Sequence, residues 1–306
     1  MRKRDFYHTG LDVSRSELAY IRQPNPSGAE DYYVDGNVSA TGSGARDYPF
    51  STLAEAIAAS NTSIKLTFNR WWARRNRIFC MGDALDETLT QLPTKCDVIG
   101  VGSYDGYTKC GLSGNHSSAA ESYGTRFFNM HFLADATASA IFTLAGANSA
   151  SGVQFHACTF DATLGTVTSG ILSTAMPFLG VFDCEFKGPF ATSFISFGAG
   201  EAGGAHIKDN KMSGSLGKGI ITAGTTTASW MPLIQDNIIS AAGLVVDDDG
   251  DIFYGSGNKM FTAADMGADS LGAMDVTAAK WIDNRLTSSA GTERNANYPF
   301  QVQFTS

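Results

Sequence analysis

The chain has 306 residues and a net charge of −8, with 22 Lys and Arg against 30 Asp and Glu, so it is not expected to hold nucleic acid through phosphate contacts. Only 17% of residues are charged, while glycine numbers 33 and proline 8, a profile that suits a turn-rich β protein better than a helical bundle. No apolar run approaches the roughly 18 residues of a membrane-spanning helix, so no membrane partner is expected.

The first thirty residues, "MRKRDFYHTGLDVSRSELAYIRQPNPSGAE", carry basic side chains without an apolar stretch behind them. A secretion signal is therefore not expected, and the chain is read as folding in a cytoplasm. The five cysteines (Cys80, Cys96, Cys110, Cys158, Cys184) are odd in number and form no CxxC, as reduced thiols do. Pro24, Pro26 and Gly28 mark a linker that closes a short docking arm over 1–30. Residues 1–77 hold eleven Lys and Arg against eight Asp and Glu, whereas residues 78–306 hold eleven against 22. A basic end on an acidic body suggests an oriented molecule, docked at one end.

Next comes "DYYVDGNVSATGSGARDYPFSTLAEAIAAS" at 31–60, which reads as a strand, a Gly/Ser-rich loop and a helix. Thr52 and Glu55 make a capping box, and Leu53, Ala56 and Ile57 give the helix near 51–60 one apolar face. Such a helix would cover the open end of a stacked β structure. The following "NRWWARRNR" at 69–77 concentrates Arg70, Trp71, Trp72, Arg74, Arg75 and Arg77 without an acid. Trp and Arg dominate protein–protein hot spots, so docking to another protein is the preferred reading. Nucleic-acid stacking and a buried Trp pair are the alternatives. "RIFCMGDALDETLTQLPTKCDVIGVGS" at 77–103 then gives strands separated by turns.

From residue 127 onward a six-residue window returns: FFNMHF (127–132), FHACTF (155–160), VFDCEF (181–186), IKDNKM (207–212), IQDNII (234–239), GSGNKM (255–260) and WIDNRL (281–286). Spacings of 28, 26, 26, 27, 21 and 26 residues mark stacked repeats. The windows are too short for helical repeats, and their Gly, Ser, Thr and β-branched flanks predict one turn of a parallel β-helix each. Equivalent residues then pile up at the ordinary strand spacing of roughly 4.8 Å. Met130, Cys158, Cys184, Asn210, Asn237, Asn258 and Asn284 should form a ladder at one turn, with asparagine tolerating left-handed backbone angles there. The Asp column beside it (Asp183, Asp209, Asp236, Asp283) should make turn bonds to backbone N–H groups. The next row, His131, Thr159, Glu185, Lys211, Ile238, Lys259 and Arg285, should face outward, with Glu185 and Lys211 as an opposite-charge pair.

Four stretches, Tyr33–Gly36, Pro49–Ile57, Gly82–Glu87 and Val98–Gly102, resemble the start of pectate-lyase-like right-handed parallel β-helix proteins. The resemblance covers 31–286, with 287–306 as a closing segment. It implies an all-β, single-stranded parallel β-helix with an N-terminal capping helix. The family includes lyases, hydrolases and epimerases as well as non-catalytic virus tailspikes, so function must come from the site.

Catalytic patterns of that family are not found. A D-D look-alike occurs only in "VVDDDGDIFYG" (245–255), without its companions. Asp247, Asp248, Asp249 and Asp251 there are calcium candidates through carboxylate oxygen, against a plain solvated turn around Gly250. Asp161, Asp183, Glu185, Glu201, Asp209 and Asp236 could include a glycosidase pair, a test that neighbouring turns pass too easily. His8, His116, His131, His156 and His206 show no zinc spacing, and no cofactor is expected. The resemblance points to a non-catalytic structural protein on a tailed-phage virion, assembled in the host cytoplasm as a capsid decoration or spike. It would be a homotrimer docked to other virion proteins through the arm and the Arg/Trp stretch, with adhesion to a cell-surface glycan. The alternative is a lyase or hydrolase that depolymerises acidic polysaccharide, and a third reading is a glycan-binding module without turnover.

Overall fold

Segments of two to eight residues, many closed by glycine or an Asx residue, are too short to build wide hairpins and instead stack. A computed structural model describes residues 29–64, 74–82, 84–102, 109–118, 122–135, 139–145, 152–174, 178–198, 203–222, 232–248, 253–262, 274–275, 281–288 and 293–296. Residues 1–28 of the arm, Arg70, Trp71, Trp72, Asp249, Asp251 and most of the closing segment lie outside them. Among the described residues the strands form three sheets of ten, ten and seven strands. From Arg126 onward the chain visits the first, second and third sheet in turn, so each sheet takes every third strand. Among the described residues every strand pairs parallel with its neighbours except the last, where Glu293–Ala296 folds back antiparallel on Asn284–Ser288. The protein is thus mostly β, built as long parallel sheets.

In-register stacking makes each interior position a row. In the second sheet Leu112, Phe132, Phe160, Phe186, Met212, Ile239 and Met260 stand over one another. In the first sheet the row runs Val98, Phe127, Phe155, Val181, Ile207 and Ile234. Both rows open on an aliphatic residue, are aromatic in their next turns, and end on aliphatic side chains and methionine. Phe127 stacks on Phe155 at 5.3 Å and Phe160 on Phe186 at 4.4 Å, while Phe142 meets Phe132 edge-on at 4.8 Å. These offset and T-shaped contacts are the favourable ones for rings.

The ladder lies at the corner between the first and second sheets. Asn210, Asn237, Asn258 and Asn284 are buried. The Oδ1 of Asn237 accepts from the backbone N–H of Asn210 at 3.0 Å and from its Nδ2 at 2.9 Å. The Nδ2 of Asn237 donates to the Ile207 carbonyl and to Asn258 Oδ1. Asn258 repeats the pattern with Asn284 and Ile234. Above them the N–H of Cys184 donates to Asn210 Oδ1, and the thiols of Cys184 and Cys158 point at the carbonyls of Phe155 and Phe127. Met130 continues the column, and Cys110 pairs with Met130 as an earlier member. Left-handed angles belong to the preceding residue: Asn129, Ala157, Asp183, Asp209, Asp236, Gly257 and Asp283 have φ between 51° and 68°. This corrects the placement expected for the ladder asparagines. The turn is made by this preceding column, which is aspartate at four of the seven positions, and the next side chain is thereby aimed inward.

A second corner, between the third and first sheets, has its own left-handed column: Lys95, Gly124, Gly152, Phe178 and Gly204, with φ of 48°, 62°, 72°, 61° and 67°. Glycine meets this backbone without strain; lysine and phenylalanine do not.

Helix α1 (Leu53–Ser63) buries Leu53, Ala56 and Ile57 against the first turns. Thr52 and Glu55 form the reciprocal capping box. The Glu87 carboxylate also accepts from the N–H groups of Leu53 at 2.5 Å and Ala54 at 2.9 Å, which ties the helix N-terminus to the sheets.

His116 opens the third sheet but is a core residue, with its ring 4.8 Å from Phe142 and Nδ1 accepting from the Leu89 N–H. Burial pushes its pKa down from 6.5 to about 3. The folded imidazole stays neutral while the unfolded one protonates near 6.5, so the unfolded chain binds more protons between those values. Stability is full above that window and falls as pH drops through it. Between pH 7 and 4 we expect a loss of about 3 kcal/mol from this residue. Urea unfolding at both pH values should show it, with His116→Leu giving a shallower pH slope; equal slopes would refute a neutral core histidine.

Candidate functional site

The outer face of the second sheet carries the row His131, Thr159, Glu185, Lys211, Ile238, Lys259 and Arg285 in direct register. Its later members are partly or fully exposed, and Lys211 meets Glu185 at 3.5 Å. Its first members differ from the expected solvated face, because His131 and Thr159 are buried. Lys109 donates to the Thr159 hydroxyl at 2.9 Å. His131 Nε2 lies 2.9 Å from Asp161 Oδ2, and Lys187 Nζ lies 2.9 Å from the same oxygen. The other oxygen of Asp161 accepts from the N–H and hydroxyl of Thr163. Burial alone would raise the Asp161 carboxyl, but the hydrogen bonds from His131, Thr163 and Lys187 outweigh it and hold it well below the usual carboxylate range. An ionised Asp161 only accepts, so His131 carries its proton on Nε2.

An imidazole oriented by a carboxylate is the arrangement that positions many general bases. Here the His131 and Asp161 side chains are 1% and 5% exposed. Together with Lys187 the pair ties three successive strands of the sheet together.

The outer face of the first sheet alternates in sign along one row: Asp31, Arg77, Asp97, Arg126. Arg77 makes a two-pronged contact to Asp31 at 2.8 and 2.6 Å, and Arg126 does the same to Asp97 at 2.7 and 2.7 Å. Arg75 adds a bond to Asp97 at 2.9 Å and one to the Gly124 carbonyl at 2.7 Å. Arg77 is buried, so this member of the expected docking stretch serves the scaffold instead. Arg75 is pinned yet 23% exposed. Two residues along each strand, Phe128, His156 and Phe182 stack at 4.7 and 4.9 Å.

The acidic run places Asp247 and Asp248 in a strand of the third sheet, not in a turn. Asp247 is buried and bound by Lys218. The lysine ammonium on Oδ2 gives this buried carboxylate a role in the scaffold. Of the other acidic candidates, Asp209 and Asp236 lie on exposed corners with Lys208 at 3.9 and 4.0 Å, and Glu201 falls outside the described residues. Among the described residues no group of three His, Cys, Asp or Glu could hold a metal.

Sequence reasoning missed Lys109, Lys187 and the ionic row. Lys187 could have been found, since it sits two residues beyond Glu185 and therefore on the same face. Against known proteins, no family model, no curated protein and no solved structure matches the chain.

Proposed function

We propose that the protein is a right-handed parallel β-helix of pectate-lyase-like architecture that acts as a non-catalytic structural component on the surface of a tailed-phage particle. It serves as capsid decoration or spike, a homotrimer docked to other virion proteins, with a cell-surface glycan as its outward partner. One observation carries the non-catalytic part: the charged side chains best placed for chemistry are consumed by the scaffold. Asp161 is held by His131, Lys187 and Thr163, Asp97 by Arg75 and Arg126, and Asp247 by Lys218. Long in-register sheets with such internal ties suit a rigid rod. The virion setting rests on the sequence resemblance and on the basic end of an acidic chain.

The His131–Asp161 pair favours a second reading, a lyase or hydrolase of acidic polysaccharide. Both readings meet one set of measurements. Particles purified from the source should contain the chain by mass spectrometry and electron microscopy, and the isolated protein should release neither unsaturated products nor new reducing ends from acidic polymers. Absence from particles overturns the virion reading. Turnover that disappears in Asp161→Asn overturns the non-catalytic one.

A further inference from the structure

The corner between the third and first sheets brings together positive charge, glycine and an exposed aromatic ring. Just before successive strands of the first sheet it presents Arg75, Lys95, Gly124, Gly152, Phe178 and Gly204. Gly124 and Gly152 leave a strip without side chains. At one end Arg75 and Arg126, 23% and 29% exposed, share the fully buried Asp97 carboxylate, and Lys95 adds a third positive charge. Arg77 is already matched by Asp31. At the other end the Phe178 ring is 41% exposed and lies over Gly204.

Two of these residues hold strained backbone. Lys95 and Phe178 have φ of 48° and 61° in a column where neighbouring turns use glycine at 62°, 72° and 67°. A cation and a bulky aromatic ring kept at left-handed positions that glycine fills freely point to a use outside folding. Lys95 is also held below its ordinary pKa, first by burial and then by Arg75 and Arg126, so positive charge is crowded there.

We propose that this corner docks an extended acidic polypeptide segment of an assembly partner, with carboxylates on Arg75, Lys95 and Arg126 and an apolar side chain on Phe178. Three strand spacings separate Lys95 from Phe178, about 14 Å, and an extended peptide sets residues i and i+4 about 13 Å apart on one face. The forks of Arg75 and Arg126 are already turned to Asp97 and Gly124, so an incoming carboxylate would take their remaining N–H groups, on guanidiniums that are held in place and lose little freedom on binding. A nucleic acid is disfavoured because Arg75, Lys95 and Arg126 sit together at one end of the corner and do not form the long cationic track that a run of phosphates needs. That the partner is a polypeptide rests on the structural reading above; the charge and ring geometry does not.

The test uses the full chain and labelled decapeptides in which two glutamates precede a leucine by four residues, with lysine-for-glutamate and serine-for-leucine versions as controls. A sulfated oligosaccharide and single-stranded DNA are run alongside. The acidic peptide should bind in a salt-dependent way, and Lys95→Gly and Phe178→Gly should each weaken it about tenfold. Both variants should melt at the same temperature as the parent or higher, because glycine relieves the strain. Equal binding of the lysine peptide, indifference to both substitutions, or preference for the oligosaccharide or DNA overturns the proposal. Since the assay needs no particle, its failure leaves the virion reading to its own experiment, and absence from particles leaves the peptide result standing.

Discussion

Asn237→Ala should destabilise the protein by on the order of 4 kcal/mol, among the largest effects of any single substitution. The substitution strands the buried N–H of Asn210, whose acceptor is Asn237 Oδ1 at 3.0 Å. It also removes bonds to Asn210 Nδ2, to the Ile207 carbonyl and to Asn258 Oδ1. Asn237→Asp should be worse at neutral pH despite its matching shape. One of its oxygens would face the Ile207 carbonyl and Asn258 Oδ1, acceptor against acceptor, with a charge in a fully buried site. Acidification to pH 5 should recover part of that loss as the carboxyl protonates. Urea unfolding of the three proteins at both pH values decides it. An aspartate variant as stable as the parent at pH 7 would mean that the amide donors contribute nothing.

Phe155→Ala is the second large effect, expected at about 4 kcal/mol. The ring touches Phe127 at 5.3 Å, Phe142 at 5.0 Å, Phe160 at 5.2 Å and Phe132 at 5.9 Å, so its removal opens a cavity that four rings border. Stacked rings held in register have little room to collapse into that space. Phe182→Ala makes the same chemical change on the outer face, where the ring is half-buried and stacked on His156. It should cost about 1 kcal/mol. Near-equal losses in thermal or urea unfolding would show that the aromatic block is not the centre of the core.

These contrasts indicate which parts of the molecule the sequence encodes openly. Parallel strands were legible because each window repeats an apolar–polar alternation at nearly constant spacing, and in-register stacking turns spacing directly into rows. Asn210, Asn237, Asn258 and Asn284 stand out for the same reason. Cys110 did not, since "CGLSGN" lacks the flanking residues of the later windows although its strand joins the same sheet. The left-handed position was misplaced by one residue because aspartate and asparagine both tolerate it, and the pair alone does not say which of them turns.

The outer-face chemistry was harder to read. Asp31, Arg77, Asp97 and Arg126 lie in the early turns, where the repeat is irregular and no window sets the register. The strained corner was hidden for a different reason. Lys95 and Phe178 replace the glycine that would have announced the turn, so the residues carrying the proposed docking chemistry also erase its signature.

The asparagine ladder is also directional. Each amide oxygen faces the strand made before it, so the donors of one turn wait for an acceptor that arrives 21 to 27 residues later. A nascent chain leaving the ribosome cannot complete a turn when it is synthesised; that turn stays provisional until its successor emerges. Folding of this region trails translation by one repeat, and a premature stop undoes the last finished turn as well as the missing one.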